Sequence, residues 1–236
     1  MRVRFIFSKP AVIVGKNLIL ADLHFGIEAI CLSYSVAMKK IEKDIESIRD
    51  LVKKFKIKNL IIAGDFKHTI PKRADALEKT EVETEEVKEI ERKIKIKWII
   101  NKMKEFVNLI IVSGNHDGGI REKVPEYFIG KIGIFHGHRK PSKKILKCEK
   151  IICGHVHPTV SIGGKVEKVF LIGKLDESFL KQYKIKKSPT IIVIPSFNDL
   201  IYGSKIENFG STTGPIFKKG RFKILSVYLL SGTKIE

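Results

Sequence analysis

The sequence predicts a single α/β domain in which two mixed β-sheets pack on each other and are flanked by helices. In the first half, short runs rich in isoleucine and valine alternate with a stretch of helical periodicity, which is typical of strands and helices in turn. After about His157 the apolar residues alternate or form short runs between glycine and proline turns, which indicates a second sheet packed on the first. A chain of 236 residues with 43% hydrophobic content can build one substantial core, so we expect one domain over 1–236.

The first-half strands are predicted from short, mostly apolar runs that are each followed at once by polar residues. Between the first two runs, apolar residues from Met38 to Phe55 recur every three or four positions, which places them on one face of a helix and predicts a β-α-β unit. The predicted strands are 17–21, 59–63, 109–113, 132–135 and 151–153 in the first half, and 168–172, 190–194 and 222–230 in the second.

A second helix is predicted over roughly 80–104, where the helical period continues among many glutamates and lysines. The stretch 71–98 is longer and more charged than a simple crossover requires. Two interpretations stay open: a charged cap over the edge of the sheet, or an exposed helix.

The charge balance favours anionic partners. Lysine and arginine total 45 against 26 acidic residues, a formal charge of +19, which attracts nucleic acid over long distances. A composition rich in lysine and isoleucine is also typical of a thermophilic organism. The three cysteines lack disulfide or metal spacing, which favours a reducing cytoplasm. All apolar runs are shorter than the roughly 18 to 20 residues that cross a bilayer, so we expect no membrane partner.

Histidines and oxygen-bearing side chains cluster directly after the predicted strands. The chain contains seven histidines, and six of them follow these apolar runs. Because ligands of open α/β sheets bind outside the carboxyl ends of strands, five such strand ends can bring their side chains to one crevice. The residues at these positions are Asp22, His24, Asp65, Asn115, His116, Asp117, His136, His138, His155 and His157.

The residue types at these strand ends are ones that bind divalent cations. A carboxylate such as Asp65 has two oxygens and can bridge two cations, and neutral imidazoles suit zinc, manganese and iron. A lone histidine in such a position is more often a satisfied core residue, and a lone Asp-x-His is more often a helix cap followed by a surface histidine. Two His-x-His pairs at two strand ends, 136/138 and 155/157, favour a metal site instead.

The order of these residues resembles the calcineurin-like metallophosphoesterase superfamily. The resemblance extends from Asp22 to His157 and consists of Asp-x-His, Gly-Asp, Gly-Asn-His-Asp, a histidine, and Gly-His-x-His, in that order. The segments Ala-Asp-Leu-His-Phe-Gly from Ala21 and His-Gly-His from His136 are similar to the branch of small archaeal and bacterial phosphoesterases that includes the DNA-ligase-associated type. The fold implied by this resemblance is an αββα sandwich.

The resemblance implies a centre of two divalent cations, with manganese foremost and iron, zinc or nickel as alternatives. Two cations about 3.5 to 4 Å apart lower the pKa of a bridging water and neutralise charge on the phosphate, so the implied reaction is attack of metal-bound hydroxide on a phosphate mono- or diester. Of the two histidines after the fourth strand, His136 and not His138 is the implied ligand, because the family's pattern uses the first histidine after the strand. The implied ligands are Asp22, His24, Asp65 and His157 for the first cation, and Asp65, Asn115, His136 and His155 for the second, with Asp65 bridging.

Other residues are candidates for catalysis and substrate binding. His116 follows a ligand without being one, so it is placed to protonate the leaving oxygen, with Asp117 as its orienting partner. His138 and Arg139 are candidates for binding the substrate, since an arginine beside the histidine pair can grip a phosphate; a surface role is the alternative for Arg139. His68, three residues after Asp65, could reach the rim of the site, but we expect it to be an exposed turn residue. Weaker candidates for substrate contacts are Phe197, Asn198 and 210–214.

The function predicted from these observations is a dimetal phosphoesterase, with nucleic acid or nucleotides favoured as substrates by the basic charge. A different class remains as the alternative: a basic nucleic-acid-binding protein whose metal site is structural or inactive. The complete set of ligand residues argues against it. A dimetal hydrolase of the β-lactamase type is also less favoured, because its His-x-His-x-Asp-His run does not occur in this sequence.

Overall fold

Two packed β-sheets form the centre of the fold. The structure is a computed structural model and describes residues 1–68, 95–209 and 214–235. In this part of the chain the first sheet has the strand order β1-β2-β3-β4-β5, and its last three strands run parallel. Its strands are β1 (Arg4–Ile6), β2 (Ala11–Val14), β3 (Asn17–Leu20), β4 (Asn59–Ile62) and β5 (Asn108–Ile111).

The second sheet is mixed, and its order in the described residues is β12-β9-β10-β11-β8-β7-β6, with β13 and β14 added through β10. Strands β7, β8 and β11 are parallel, whereas β10 pairs antiparallel with three neighbours. The strands are β6 (Tyr127–Ile129), β7 (Ile132–Ile134), β8 (Lys150–Cys153), β9 (Pro158–Ile162), β10 (Lys165–Leu175), β11 (Thr190–Val193), β12 (Ser204–Lys205), β13 (Phe222–Leu229) and β14 (Lys234–Ile235).

Helices cover the outer faces of both sheets. The longest described helix, α2, buries the side chains spaced three and four apart from Ala37 to Val52, as its amphipathic sequence requires. It connects the parallel strands β3 and β4, which confirms the predicted β-α-β unit. The helices of the described residues are α1 (Glu28–Cys31), α2 (Tyr34–Lys54), α3 (Ile96–Lys104), α4 (Lys143–Leu146) and α5 (Glu177–Lys181), with a 3-10 turn at Ile206–Asn208.

Among the residues that the structure describes, the core consists of three layers of buried side chains. The central layer lies between the sheets and combines residues such as Ile19 and Ile61 from the first sheet with Ile134, Ile152 and Phe170 from the second. Burial of each such side chain stabilises the fold by about 1.5 to 3 kcal/mol. One outer layer joins the first sheet to α2 and α3, and the other joins the second sheet to α4 and α5. The shared central layer makes the two sheets one unit, as predicted.

The structure corrects the prediction in detail. Residues 4–14, which were not predicted as strands, form the hairpin of β1 and β2 at the edge of the first sheet. The predicted runs 132–135 and 151–153 form β7 and β8 of the second sheet, so this sheet begins well before His157. The end of the predicted helix 80–104 forms α3, and its first part, 80–94, lies outside the described residues. Most of the predicted cap or exposed helix, 71–94, also lies outside them. Within the described chain, none of the helices has the length and apolarity of a transmembrane span.

Candidate metal centre

The loops that follow β3, β4 and β5 of the first sheet and β7 and β8 of the second meet at one place. Backbone hydrogen bonds connect them: the amide of Asp22 donates to the Gly64 carbonyl at 3.1 Å, and the amide of Gly154 donates to the His136 carbonyl at 3.2 Å. The edge where both sheets end therefore gathers all seven residues predicted as metal ligands.

One group of donor atoms consists of Asp22, His24 and His157. The Nε2 atom of His157 lies 3.3 Å from Oδ1 of Asp22 and 3.4 Å from Nε2 of His24. Asp22 and His24 are buried, whereas His157 is partly exposed. Two imidazole nitrogens and a carboxylate oxygen that face each other at these distances form a donor set for a divalent cation.

A second group consists of Asp65, His136 and His155, with Asn115 beside it. The Nε2 atom of His136 lies 3.1 Å from Oδ2 of Asp65 and 3.2 Å from Nδ1 of His155. Oδ1 of Asn115 is also 3.2 Å away. A single hydrogen on Nε2 can satisfy only one of these three acceptors, whereas a cation among them would be bound by all four atoms. This donor set therefore fits a metal ion.

Asp65 lies between the two groups. Its Oδ2 atom is 3.1 Å from Nε2 of His136 in the second group and 3.6 Å from Nε2 of His24 in the first. Its Oδ1 atom accepts a hydrogen bond from the backbone amide of His116 at 2.9 Å, which fixes the orientation of the carboxylate. Oδ2 of Asp65 is thus close to both donor groups, and its predicted bridging role stays a prediction.

The backbone at these loops adopts conformations that few residues other than glycine tolerate. Five of the predicted ligands have positive φ angles, and such conformations persist only where the surroundings enforce them. The loops also approach each other closely: a Cβ atom on Gly154 would lie 2.4 Å from Oδ2 of Asp22, and one on Gly64 would lie 2.3 Å from the His136 ring. The five φ angles are Asp22 56°, His24 45°, Asp65 50°, His155 77° and His157 41°.

Electrostatics keep most of the cluster in the protonation state that metal binding needs. Burial lowers the pKa of His24 and of His155 to about 3, so both rings are neutral at neutral pH. Burial alone would raise the pKa of Asp65, but His136 and His24 outweigh it and hold the pKa below its ordinary value. The pKa of Asp22 also lies below its ordinary value, because His157 and His136 outweigh the effect of burial, which alone would raise it. The carboxylates are therefore ionised and able to bind cations.

His136 differs from the other histidines of the cluster. Burial by itself would lower the pKa of its imidazole, but Asp65, Asp22 and the Ala63 carbonyl together raise the pKa to about 9. Its Nδ1 atom lies 3.0 Å from the Ala63 carbonyl, which can only accept, so Nδ1 carries hydrogen and Nε2 is directed at the donor cluster. A bound cation would take the place of the Nε2 hydrogen.

His116 and Asp117, the predicted catalytic pair, lie beside the first group. The His116 ring is half-buried, and its centre is 5.0 Å from that of His24. The Asp117 carboxylate is buried and accepts from backbone amides: Asp65 at 3.0 Å, Phe66 at 2.8 Å and Gly114 at 2.7 Å. These bonds join the loops after β4 and β5, so Asp117 positions both loops, and its predicted role as the orienting partner of His116 stays a prediction.

His68 belongs to this cluster, and its predicted placement as an exposed turn residue was wrong. It is half-buried, its ring stacks on that of His116 at 5.2 Å and 16°, and its Nδ1 atom lies 3.3 Å from Nδ1 of His24. A bridge between Phe25 and Lys67 continues the parallel pairing of β3 and β4 beyond the strands, which brings His68 next to His24. This register was the signal that sequence reasoning missed.

The candidate substrate-binding residues are placed differently from one another. His138 is half-buried with its ring 5.2 Å from that of His136, and its buried Nδ1 atom has no hydrogen-bond partner among the described residues. Arg139 is exposed and donates to the Pro125 carbonyl at 2.7 Å. Both roles remain predictions.

The weaker candidates for substrate contacts do not line an open surface. Asn198 is buried and donates to the Leu23 carbonyl at 2.8 Å, and Phe197 is buried in the core against the first sheet, so neither is available to a substrate. Gly214 packs closely against Gly137 and His155. The rest of the glycine-rich run, 210–213, lies outside the described residues.

One family model and several solved structures are similar to this chain. The family model of calcineurin-like phosphoesterases matches residues 16–198. Among solved structures, a nuclease from Pseudomonas putida is similar with a TM-score of 0.57 and 18% identity, covering 94% of this chain and 89% of that one. A phosphoesterase from E. coli aligns at 14% identity, 93% and 96% coverage and a TM-score of 0.38. An archaeal phosphodiesterase aligns at 16% identity, 74% and 97% coverage and a TM-score of 0.32. No curated protein matches significantly.

Proposed function

Because the chain belongs to the calcineurin-like phosphoesterase family and is thus a metal-dependent phosphoesterase, we propose that it hydrolyses phosphodiesters of nucleic acids or nucleotides at a centre of two manganese ions. The observation that carries this proposal is the position of Oδ2 of Asp65 between the His24 and His136 groups. A carboxylate shared by two donor sets is what a dimetal centre requires.

The residues proposed to hold the cations are those of the two donor groups. Asp22, His24 and His157 would bind the first, and Asn115, His136 and His155 the second, with Asp65 shared. When bound, two divalent cations supply an activated water and neutralise the charge of the phosphate oxygens. The imidazole, carboxylate and amide donors of these seven residues suit manganese, with iron, zinc and nickel as alternatives.

The chain's own residues supply orientation and a proton. The deep side of the crevice is formed by Asp22, His24, Asp65 and His136, which are almost fully buried, so substrate reaches the centre from the open side. His116 is half-buried and adjoins exposed Asn115 there, and its imidazole is proposed to protonate the leaving oxygen. The formal charge of +19 supports a polyanionic substrate, because it attracts the phosphate backbone from a distance.

The test is hydrolysis of two chromogenic esters by the metal-stripped chain supplied with manganese. We expect turnover of bis-p-nitrophenyl phosphate and much slower turnover of p-nitrophenyl phosphate, followed by cleavage of an oligonucleotide. The reverse preference would establish a monoesterase. No hydrolysis of either ester with manganese, iron, zinc or nickel, together with salt-dependent oligonucleotide binding, would favour a nucleic-acid-binding protein and overturn the proposed activity.

A further inference from the structure

A turn from the second sheet holds the loop that carries Asp22 and His24. This turn, residues 196–198, follows β11, and each of its residues binds one carbonyl of that loop. The backbone amide of Phe197 donates to the Ala21 carbonyl at 3.0 Å. The Ser196 hydroxyl lies 3.1 Å from the Asp22 carbonyl. The side-chain amide of Asn198 donates to the Leu23 carbonyl at 2.8 Å.

The 196–198 turn is itself held by two charged side chains. The ammonium group of Lys168, from β10, donates to the carbonyls of Ser196 at 2.9 Å and Asn198 at 2.7 Å. The Glu28 carboxylate, from α1, accepts from the Asn198 side chain at 2.9 Å and from the Gly26 amide at 2.8 Å. Glu28 is fully buried, and a buried charge is tolerated only where such bonds satisfy it. Asn198 connects this carboxylate to the ligand loop.

The ligand loop needs support because its backbone is strained. Asp22 and His24 both have positive φ angles, of 56° and 45°, which residues other than glycine rarely adopt. Such conformations relax when the contacts that enforce them are removed. The bonds from the 196–198 turn reach the carbonyls of Asp22 and of its two neighbours, so they act directly on this stretch.

We propose that Asn198 is a positioning residue for the first cation: through the Leu23 carbonyl and Glu28 it holds Asp22 and His24 in ligand geometry. The inference rests on the proposed function, since it requires a cation bound at this group. Partners one step removed from metal ligands commonly change metal affinity by about 10- to 100-fold when mutated, and we expect Asn198→Ala to weaken the first site by this factor. The second site, whose ligands lie on other loops, keeps its affinity.

The experiment is calorimetric titration of the metal-stripped full chain with manganese. Two binding events are expected, and His157→Ala and Asn115→Ala assign them, since each removes a ligand of one site. Asn198→Ala then weakens only the event that His157→Ala removes. Asn198→Leu keeps roughly the size of the side chain without adding a charge beside Glu28, cannot donate to the Leu23 carbonyl, and has the same effect. Ser196→Ala removes a hydroxyl that lies 3.1 Å from the carbonyls of both Asp22 and Asn198, and it is a milder variant with the same direction.

A general loss of stability is separated from positioning by a control. Leu180→Ala removes a buried side chain of α5 on the outer face of the second sheet and lowers the melting temperature without touching the turn. It is expected to leave both manganese affinities unchanged. Equal weakening of both sites by Asn198→Ala, or no weakening of either, would overturn the inference while the proposed function stands. Absence of any manganese binding by the wild-type chain would overturn both.

Discussion

The imidazoles of His24 and His68 face each other through their Nδ1 atoms, 3.3 Å apart, while Nε2 of His24 is directed at Asp65 and His157. One of the two Nδ1 atoms must carry the hydrogen and the other accept it. If His24 donates, its Nε2 lone pair is free for a cation, an arrangement that metal-binding histidines usually show with an outer hydrogen-bond partner. Burial lowers the pKa of His68 to about 4, so this ring is neutral and able to accept.

Replacement of His68 by phenylalanine is therefore expected to weaken the first metal site. Phenylalanine keeps a ring to stack on His116 but cannot accept from His24, and a loss of about 10- to 100-fold in manganese affinity follows. Asparagine at this position places an oxygen near the site of Nδ1 and should keep most of the affinity. Calorimetric titration of both variants provides the measurement. Equal affinities for the two variants would show that the contact with His24 does not matter.

Asp65→Asn is expected to impair both metal sites, whereas Asn115→Ala impairs only the second. The reason is that Oδ2 of Asp65 faces both donor groups, whereas Oδ1 of Asn115 lies beside His136 of the second group. Metal content of the purified variants, determined by elemental mass spectrometry after equilibration with manganese, measures the effect. An Asp65→Asn protein that retains one full equivalent would exclude a bridging role.

His116→Ala should lower kcat by about 10²- to 10⁴-fold without loss of metal, because the side chain is proposed to donate a proton and not to bind a cation. The bond between the His116 backbone amide and Asp65 does not involve the imidazole and survives the substitution. Turnover of bis-p-nitrophenyl phosphate and metal content are measured on the same preparation. Loss of both metals would show that His116 has a different role.

Gly154→Ala is expected to destabilise the fold by about 1 to 3 kcal/mol and to weaken the first metal site. The new Cβ atom would lie 2.4 Å from Oδ2 of Asp22 and 2.6 Å from Cβ of Ala21, and both of these residues are fully buried. Gly118→Ala is the matched control, since its Cβ would meet open space. Urea denaturation and manganese titration compare the two, and similar behaviour of both variants would contradict the close packing.

The metal-free protein should show a pH-dependent contribution of His136. Its folded pKa of about 9 lies above the ordinary 6.5, so the charged imidazole between Asp65 and Asp22 stabilises the fold fully below pH 6.5, and this contribution is lost as the pH rises through 9. The shift corresponds to roughly 3 kcal/mol. The test is the difference in free energy of unfolding between wild type and His136→Asn in the presence of a chelator, which should shrink between pH 6.5 and 9. A difference that is constant across this range would show that His136 is not charged.

The predictions that succeeded concern local patterns. The apolar runs before Asp22, Asp65 and His155 form strands because isoleucine and valine suit buried strands, and α2 forms because its apolar residues share one face. The strand ends could be located for the same reason. The hairpin of β1 and β2 was missed although Ala11–Val14 is an apolar run of the same kind as the predicted strands; its place at the edge of the sheet depends on pairing with β3.

Other features depend on contacts between distant parts of the chain. The role of Asn198 requires the 196–198 turn to lie under Leu23, and the place of His68 requires β3 and β4 to pair in a particular register. Neither the position of the 196–198 turn nor the register of β3 and β4 can be read from a local sequence pattern. Asn198 therefore looked like a substrate contact, and His68 looked like a surface residue.

By itself, the sequence determined which side chains follow the strands and what chemistry they can perform, because residue type and periodicity are local properties of a chain. Only the tertiary structure decided that those strands belong to two different sheets, and that Asp65 lies between the groups of His24 and His136. The physical reason is that the relative position of two sheets is set by the side chains packed between them, which come from many separate segments.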